Sequence, residues 1–72
     1  MMSKRIGENI LTLRRQNNLT QKDVATILKI SNRAVSKWEK GQSYPNMEHL
    51  DELSRVFGVS IDCLMHGEGE KL

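Results

Sequence analysis

Apolar residues recur at helical spacing from Ile6 to Leu64, and the stretches between them carry turn and capping residues. Ile6, Ile10 and Leu13 share one stripe of a first helix that runs out near Asn17-Asn18. Thr20-Gln21-Lys22-Asp23 fits a capping box, with Thr20 as N-cap and Asp23 as a shorter stand-in for glutamate. It opens a second helix whose inner face holds Val24, Ala25 and Leu28. Ser31 suits the N-cap of a third helix that turns Val35 and Trp38 inward and stops at Gly41. After the loop Gln42-Ser43-Tyr44-Pro45, Asn46 can cap a fourth helix with the stripe Met47, Leu50, Leu53 and Phe57, and Gly58 suits its C′ position. Ser60 can cap a last short helix holding Ile61 and Leu64. The pattern predicts five short helices and no sheet, a compact all-α bundle over residues 4–65. Residues 66–72 lose all periodicity and read as a flexible tail or the start of a linker.

The second and third helices are separated by the turn Leu28-Lys29-Ile30, and so short a turn between short helices is the helix-turn-helix pattern. Alone it is a weak signal, because any all-helical mini-domain contains such junctions. The faces of the third helix sharpen it. Advancing about 100° per residue from Val35, Trp38 and Glu39 flank the inner side. Arg33, Ser36, Lys37 and Lys40 gather on the outer side, with Asn32 at the helix start. Arg33 and Lys37 lie one turn apart and repel each other by a few tenths of a kcal/mol, so a surface shaped only for stability would place an acid between them. A polyanion can take that role instead. Arg and Lys match guanine O6 and N7, and Asn matches adenine N6 and N7, at about 1–3 kcal/mol per bidentate pair. The face therefore suits the DNA major groove, against the plainer alternative of a solvated helix face.

Arg14 occupies the same offset beside the apolar stripe of the first helix as Glu39 does on the third. Opposite charges on two inward faces point to a partly buried ion pair, since an unpaired buried charge is severely unfavourable. The alternative is that both side chains reach water separately.

Composition narrows the field of functions. A chain of 72 residues buries only about 60% of its unfolded surface, which leaves no room for a deep catalytic cavity. The longest apolar run is Cys63-Leu64-Met65, far short of the roughly 20 residues of a membrane span or the 7–15 of a secretory core. With one cysteine and no leader pattern, the expected compartment is the cytoplasm. The net charge of +2 hides an asymmetry: residues 1–45 hold nine Lys or Arg against Glu8, Asp23 and Glu39, whereas residues 46–72 hold Arg55 and Lys71 against six acids. A basic half favours a polyanionic partner, unless the asymmetry is chance on a solvated surface.

Arg14, Leu19-Thr20-Gln21, Val24-Ala25, Ile30-Ser31, Val35, Trp38-Glu39-Lys40-Gly41, Pro45 and Val59-Ser60-Ile61-Asp62 together resemble the Xre/Cro family of helix-turn-helix repressors. The stretch Ser36 to Gly41 is particularly similar to bacterial members, and the match spans about residues 6–65. The resemblance implies a lambda-repressor-like five-helix domain that binds pseudo-palindromic operators in double-stranded DNA as a homodimer. It places the base-reading positions on Asn32, Arg33 and Lys37, and sets Gln21 against a backbone phosphate. Ser36 and Lys40 would lie near the backbone or groove wall, and Ser43 and Tyr44 in a loop that tracks a phosphate strand. It also implies the Arg14–Glu39 bridge. Two departures stand out. Lys29 replaces a turn glycine common in relatives, at a strain of about 1–2 kcal/mol if left-handed, with a phosphate contact as compensation. Cys63 replaces a common acid, so the last helix lacks a capping box.

The remaining candidates have plainer readings. Cys63 and His66, with His49 elsewhere, are too few for a structural zinc site. Trp38 shares its stripe with Val35 and reads as a core anchor; Tyr44 offers either a phosphate-facing hydroxyl or loop packing. Asn18-Leu19-Thr20 matches the glycosylation pattern by chance, absent a secretion signal. No nucleophile with a base, no glycine-rich phosphate loop, and so no enzyme, metal or cofactor is expected. The expectation is a bacterial or phage transcriptional regulator, most simply a repressor. The rival is an antitoxin or anti-repressor whose acidic half holds a protein, and a further domain or protein partner beyond Leu72 would suit either role.

Overall fold

A computed structural model describes residues 2–67, so most of the tail expected at 66–72 lies outside the described residues. Helix α1 spans Met2–Gln16, α2 Gln21–Leu28, α3 Asn32–Glu39, α4 Met47–Phe57 and α5 Ile61–His66, with no strand among the described residues. Capping chemistry explains where most of these helices start. Thr20 Oγ1 accepts from the Asp23 amide at 3.0 Å while Asp23 Oδ2 accepts from the Thr20 amide at 2.9 Å, closing a reciprocal box. Those bonds hold the Asp23 carboxyl below the usual carboxylate range, the Thr20 amide contributing most. Ser31, Asn46 and Ser60 each accept from the amide three residues on.

Helix ends are closed by left-handed residues. After α3 the amide of Gly41 (φ 74°) donates to Trp38 O and that of Gln42 to Lys37 O, a Schellman closure. Asn18 (φ 58°) and Lys29 (φ 59°) play the part of Gly41 after α1 and α2. The turn between α2 and α3 is Lys29-Ile30-Ser31, one residue later than the pattern suggested, because Leu28 stays helical and buried.

One core joins all five helices: Ile6, Ile10 and Leu13 of α1, Val24, Ala25 and Leu28 of α2, Val35 and Trp38 of α3, Leu50, Leu53 and Phe57 of α4, and Cys63 and Leu64 of α5. Helix α1 packs on α3 and α5, α2 on α3 and α4, and α4 on α5. Met47 corrects the expected α4 stripe, since it is 69% exposed. It is the first residue of its helix, and Pro45 takes the core place at that end: Pro45 and Leu50, at the two positions of a hydrophobic staple, are both buried. Ile61 is only half-buried, and Val59 in the preceding turn goes inside instead.

Two features that the helical stripes do not reveal hold α1 in place. Gly7 lies where α1 meets the end of α3, and a β-carbon built there would stand 2.1 Å from Trp38 O and 3.0 Å from Glu39 O. On either side of Gly7 in sequence, Arg5 donates twice to His66 O, at 3.2 and 2.7 Å, and Asn9 Nδ2 donates to Leu64 O at 2.8 Å. Two of the last four carbonyls of α5 are thus satisfied by side chains of α1, and a third, Cys63 O, by the Gly67 amide.

Candidate nucleic-acid interface

Helix α3 is fixed from behind and free in front. Val35 and Trp38 anchor it, with Val35 0% and Trp38 4% exposed, and the Trp38 ring meets the His49 imidazole of α4 at 5.2 Å between centroids, tilted by 50°. The outer side presents Asn32, Arg33, Lys37 and Lys40 exposed to solvent and Ser36 half-buried at their edge. Lys29, in the turn, is exposed in its left-handed conformation, and Ser43 is half-buried in the loop after α3. Tyr44 is exposed beside the buried Pro45 that ties this loop down.

Electrostatics separate this face from an ordinary solvated one. Among the described residues the ion pairs are Arg14–Glu39 and Arg55–Asp51, so Lys29, Arg33, Lys37 and Lys40 have no acidic partner within bonding distance. Of the three acids in the basic half, Glu39 is held by Arg14 and Asp23 by the α2 cap. Asp23 and Glu8 keep their charges, but neither lies within bonding distance of an α3 cation.

Behind the face lies a polar junction of three helices. Arg14 Nε donates to Glu39 Oε2 at 2.6 Å and Nη2 to Oε1 at 3.1 Å, a bidentate pair whose side chains are 12% and 5% exposed. The bond to Glu39 is the main reason that the Arg14 guanidinium is held above its usual range, against the opposing effect of burial. Arg14 Nη1 donates to Leu19 O at 2.9 Å, and Gln21 Nε2 donates to Glu39 Oε1 at 2.8 Å. The structure therefore brings Gln21, expected only at the DNA backbone, into the junction as well. Glu39 offers acceptors alone, and a polar residue opening the next helix was the only sequence signal for its third donor.

Cys63 is buried and His66 exposed, and no group of three or more metal-binding side chains forms among the described residues. A cleft of about 200 Å³ lies between α1 and α5, lined by Asn9, Thr12, Leu13, Gln16, Cys63 and Gly67, with no contribution from α2 or α3. None of the described helices is long and apolar enough to cross a membrane.

A helix-turn-helix with an unpaired basic outer helix defines a nucleic-acid-binding class of domain, and comparison with known proteins agrees. A helix-turn-helix family model matches residues 10–62. The chain is similar to the HTH-type transcriptional activator BcrR of Enterococcus faecalis, 49% identical over 62 residues that make up 86% of this chain and 30% of the relative. It is 39% identical to the HTH-type transcriptional regulator DicA of Escherichia coli K12 over 66 residues, 92% of this chain and 49% of that one. It is 32% identical to repressor protein C2 of Salmonella phage P22 over 68 residues, 94% and 32% of the two chains. The chain belongs to the Xre-like helix-turn-helix family of DNA-binding, non-enzymatic regulator domains. It spans between 30% and 49% of the length of these relatives.

Proposed function

We propose that this chain is the operator-reading part of a transcriptional repressor acting in the cytoplasm, with α3 lying in the major groove of double-stranded DNA. The observation that carries this reading is the row of unpaired cations Arg33 and Lys37 on α3, continued by Lys40 at its C-cap, after the short turn. Asn32, Arg33 and Lys37 read base edges; Lys29, Ser36, Lys40, Ser43, Tyr44 and Gln21 meet the phosphate backbone. Three readers at about 1–3 kcal/mol each match the roughly 8 kcal/mol set by about 10⁶ competing sites only at the top of that range. Two copies on a pseudo-palindrome, with half-sites about 34 Å apart, make up the difference. Repression follows from occupancy alone, whereas activation needs an additional contact.

Selection from a randomised duplex pool, repeated across a salt series, tests the reading. A two-fold symmetric site is expected, with affinity falling steeply as salt rises. Arg33→Ala should relax preference at one base position, and Lys40→Ala should weaken all sequences alike and lower the salt slope by about 1. Unchanged base preference in Arg33→Ala would overturn the site assignment, and no binding at low salt would favour a protein-interaction role.

A further inference from the structure

We infer that Glu39 is a positioning residue for DNA binding, acting through Gln21 and not only through the stability of the fold. The inference rests on the proposed phosphate contact of Gln21. Gln21 is the first residue of α2, at a positive helix end that favours an anion and that the Asp23 carboxylate of the capping box already shares. Left alone, its side-chain amide presents oxygen or nitrogen equally well, because the two ends are nearly the same shape. An oxygen turned toward a phosphate repels it.

Glu39 removes that ambiguity. Its carboxylate is an acceptor only, and its Oε1 takes Gln21 Nε2 at 2.8 Å, so the amide nitrogen is held on the Glu39 side with one N–H used and one left over. The carboxylate is itself held in one orientation, since Arg14 grips both of its oxygens. Arg14 has a second effect. A bare carboxylate behind the phosphate contact would oppose the approach of DNA, and the bidentate guanidinium cancels that charge at short range. Arg14 also binds Leu19 O, which fixes the backbone immediately before α2. These bonds fix which end of the Gln21 amide faces Glu39 and leave its second N–H for a phosphate. A carboxylate this buried also gains stability from a third donor, so positioning and stability are told apart by their different readouts.

A double-mutant cycle read in DNA affinity separates positioning from stability. Wild type, Gln21→Ala, Glu39→Gln and the double variant are titrated at low temperature against a labelled mixed-sequence duplex of about 20 base pairs at low salt, where phosphate contacts dominate. Folding of each is checked by circular dichroism. Gln21→Ala is expected to weaken binding about tenfold, as for the loss of one hydrogen bond to a charged group. Glu39→Gln, whose amide no longer dictates the orientation of Gln21, should cost a similar factor in wild type. In the Gln21→Ala background it should cost less than about twofold, the pattern of two residues acting through one contact. The loss of thermal stability caused by Glu39→Gln should persist in both backgrounds. Glu39→Asp keeps the charge but shortens the reach, and gives the same reading if Glu39→Gln does not fold. Equal losses of affinity in both backgrounds would show that Glu39 acts through stability alone and overturn the inference. Undiminished binding by Gln21→Ala would overturn it while leaving the α3 reading intact, and absence of binding by wild type would overturn both.

Discussion

Replacing Gly7 by alanine sets two effects of α1 against each other. In an exposed helix interior the change would stabilise by about 1 kcal/mol, because glycine is the poorer helix former. At this position the new methyl would stand 2.1 Å from the carbonyl oxygen of Trp38 and 3.0 Å from that of Glu39. Ordinary carbon–oxygen contact lies beyond 3 Å, so α1 and α3 must separate by roughly 1 Å, and rigid backbone on both sides leaves no soft side chain to absorb the movement. Overpacking of this kind costs about 1–3 kcal/mol and occasionally more. A backbone clash belongs at the upper end, for a net loss of about 2 kcal/mol after the propensity gain. The Trp38 carbonyl also accepts the Gly41 amide that closes α3, so the push falls on the helix end as well. For a domain of this size about 4–8 °C of Tm follows each kcal/mol, so thermal unfolding followed by far-ultraviolet circular dichroism should show a drop of roughly 10 °C or more. A Gly7→Ala protein as stable as wild type, or more so, would refute the close approach of these two helices.

Three further outcomes are expected. Lys29→Gly relieves a left-handed lysine (φ 59°), so chemical denaturation should show a gain of up to about 1 kcal/mol; its affinity for duplex DNA should fall and its salt slope drop by about 1, and a less stable glycine variant would contradict the strain. Glu39→Ala leaves Arg14 buried without its partner, a loss of about 3 kcal/mol or more, whereas Glu48→Ala at an exposed position should stay within about 0.5 kcal/mol; equal effects in urea unfolding would contradict the buried pair. The Asp23 carboxyl lies below its unfolded value when folded, so it contributes stability above the unfolded carboxylate range and loses it as pH falls through the folded value. Asp23→Asn should accordingly flatten the acid limb of the stability curve below about pH 4, and an unchanged limb would argue against the capping box.

The fold was legible in the sequence because the information that specifies it is mostly local. Thr20, Ser31, Asn46 and Ser60 mark helix starts through bonds to amides three residues away, and the inward stripes follow the helical period. What escaped depends on how helices meet. Gly7 looks like a weak point in α1 until the Trp38 carbonyl is placed against it. Met47 has the right angle for the core but lies at the very end of its helix, where Pro45 is already inside. The candidate interface was legible as a face, because Arg33, Lys37 and Lys40 need only the helical period to be grouped. The bond from Gln21 to Glu39 was not, since it joins the start of one helix to the end of another.

The bonds from α1 to the end of α5 bear on how the molecule opens. Six residues are too few for a helix in water, where even favourable sequences need about 12–15. Helix α5 exists only while α1 is docked, with Arg5 and Asn9 holding His66 O and Leu64 O and with Cys63 and Leu64 in the shared core. The first and last helices therefore form one cooperative unit that protects or exposes its amides together. Helix α3 leans on the same support, since α1 carries Arg14 to Glu39 and sets Gly7 against the Trp38 carbonyl, so the groove-reading helix is loosened whenever the outer helices open.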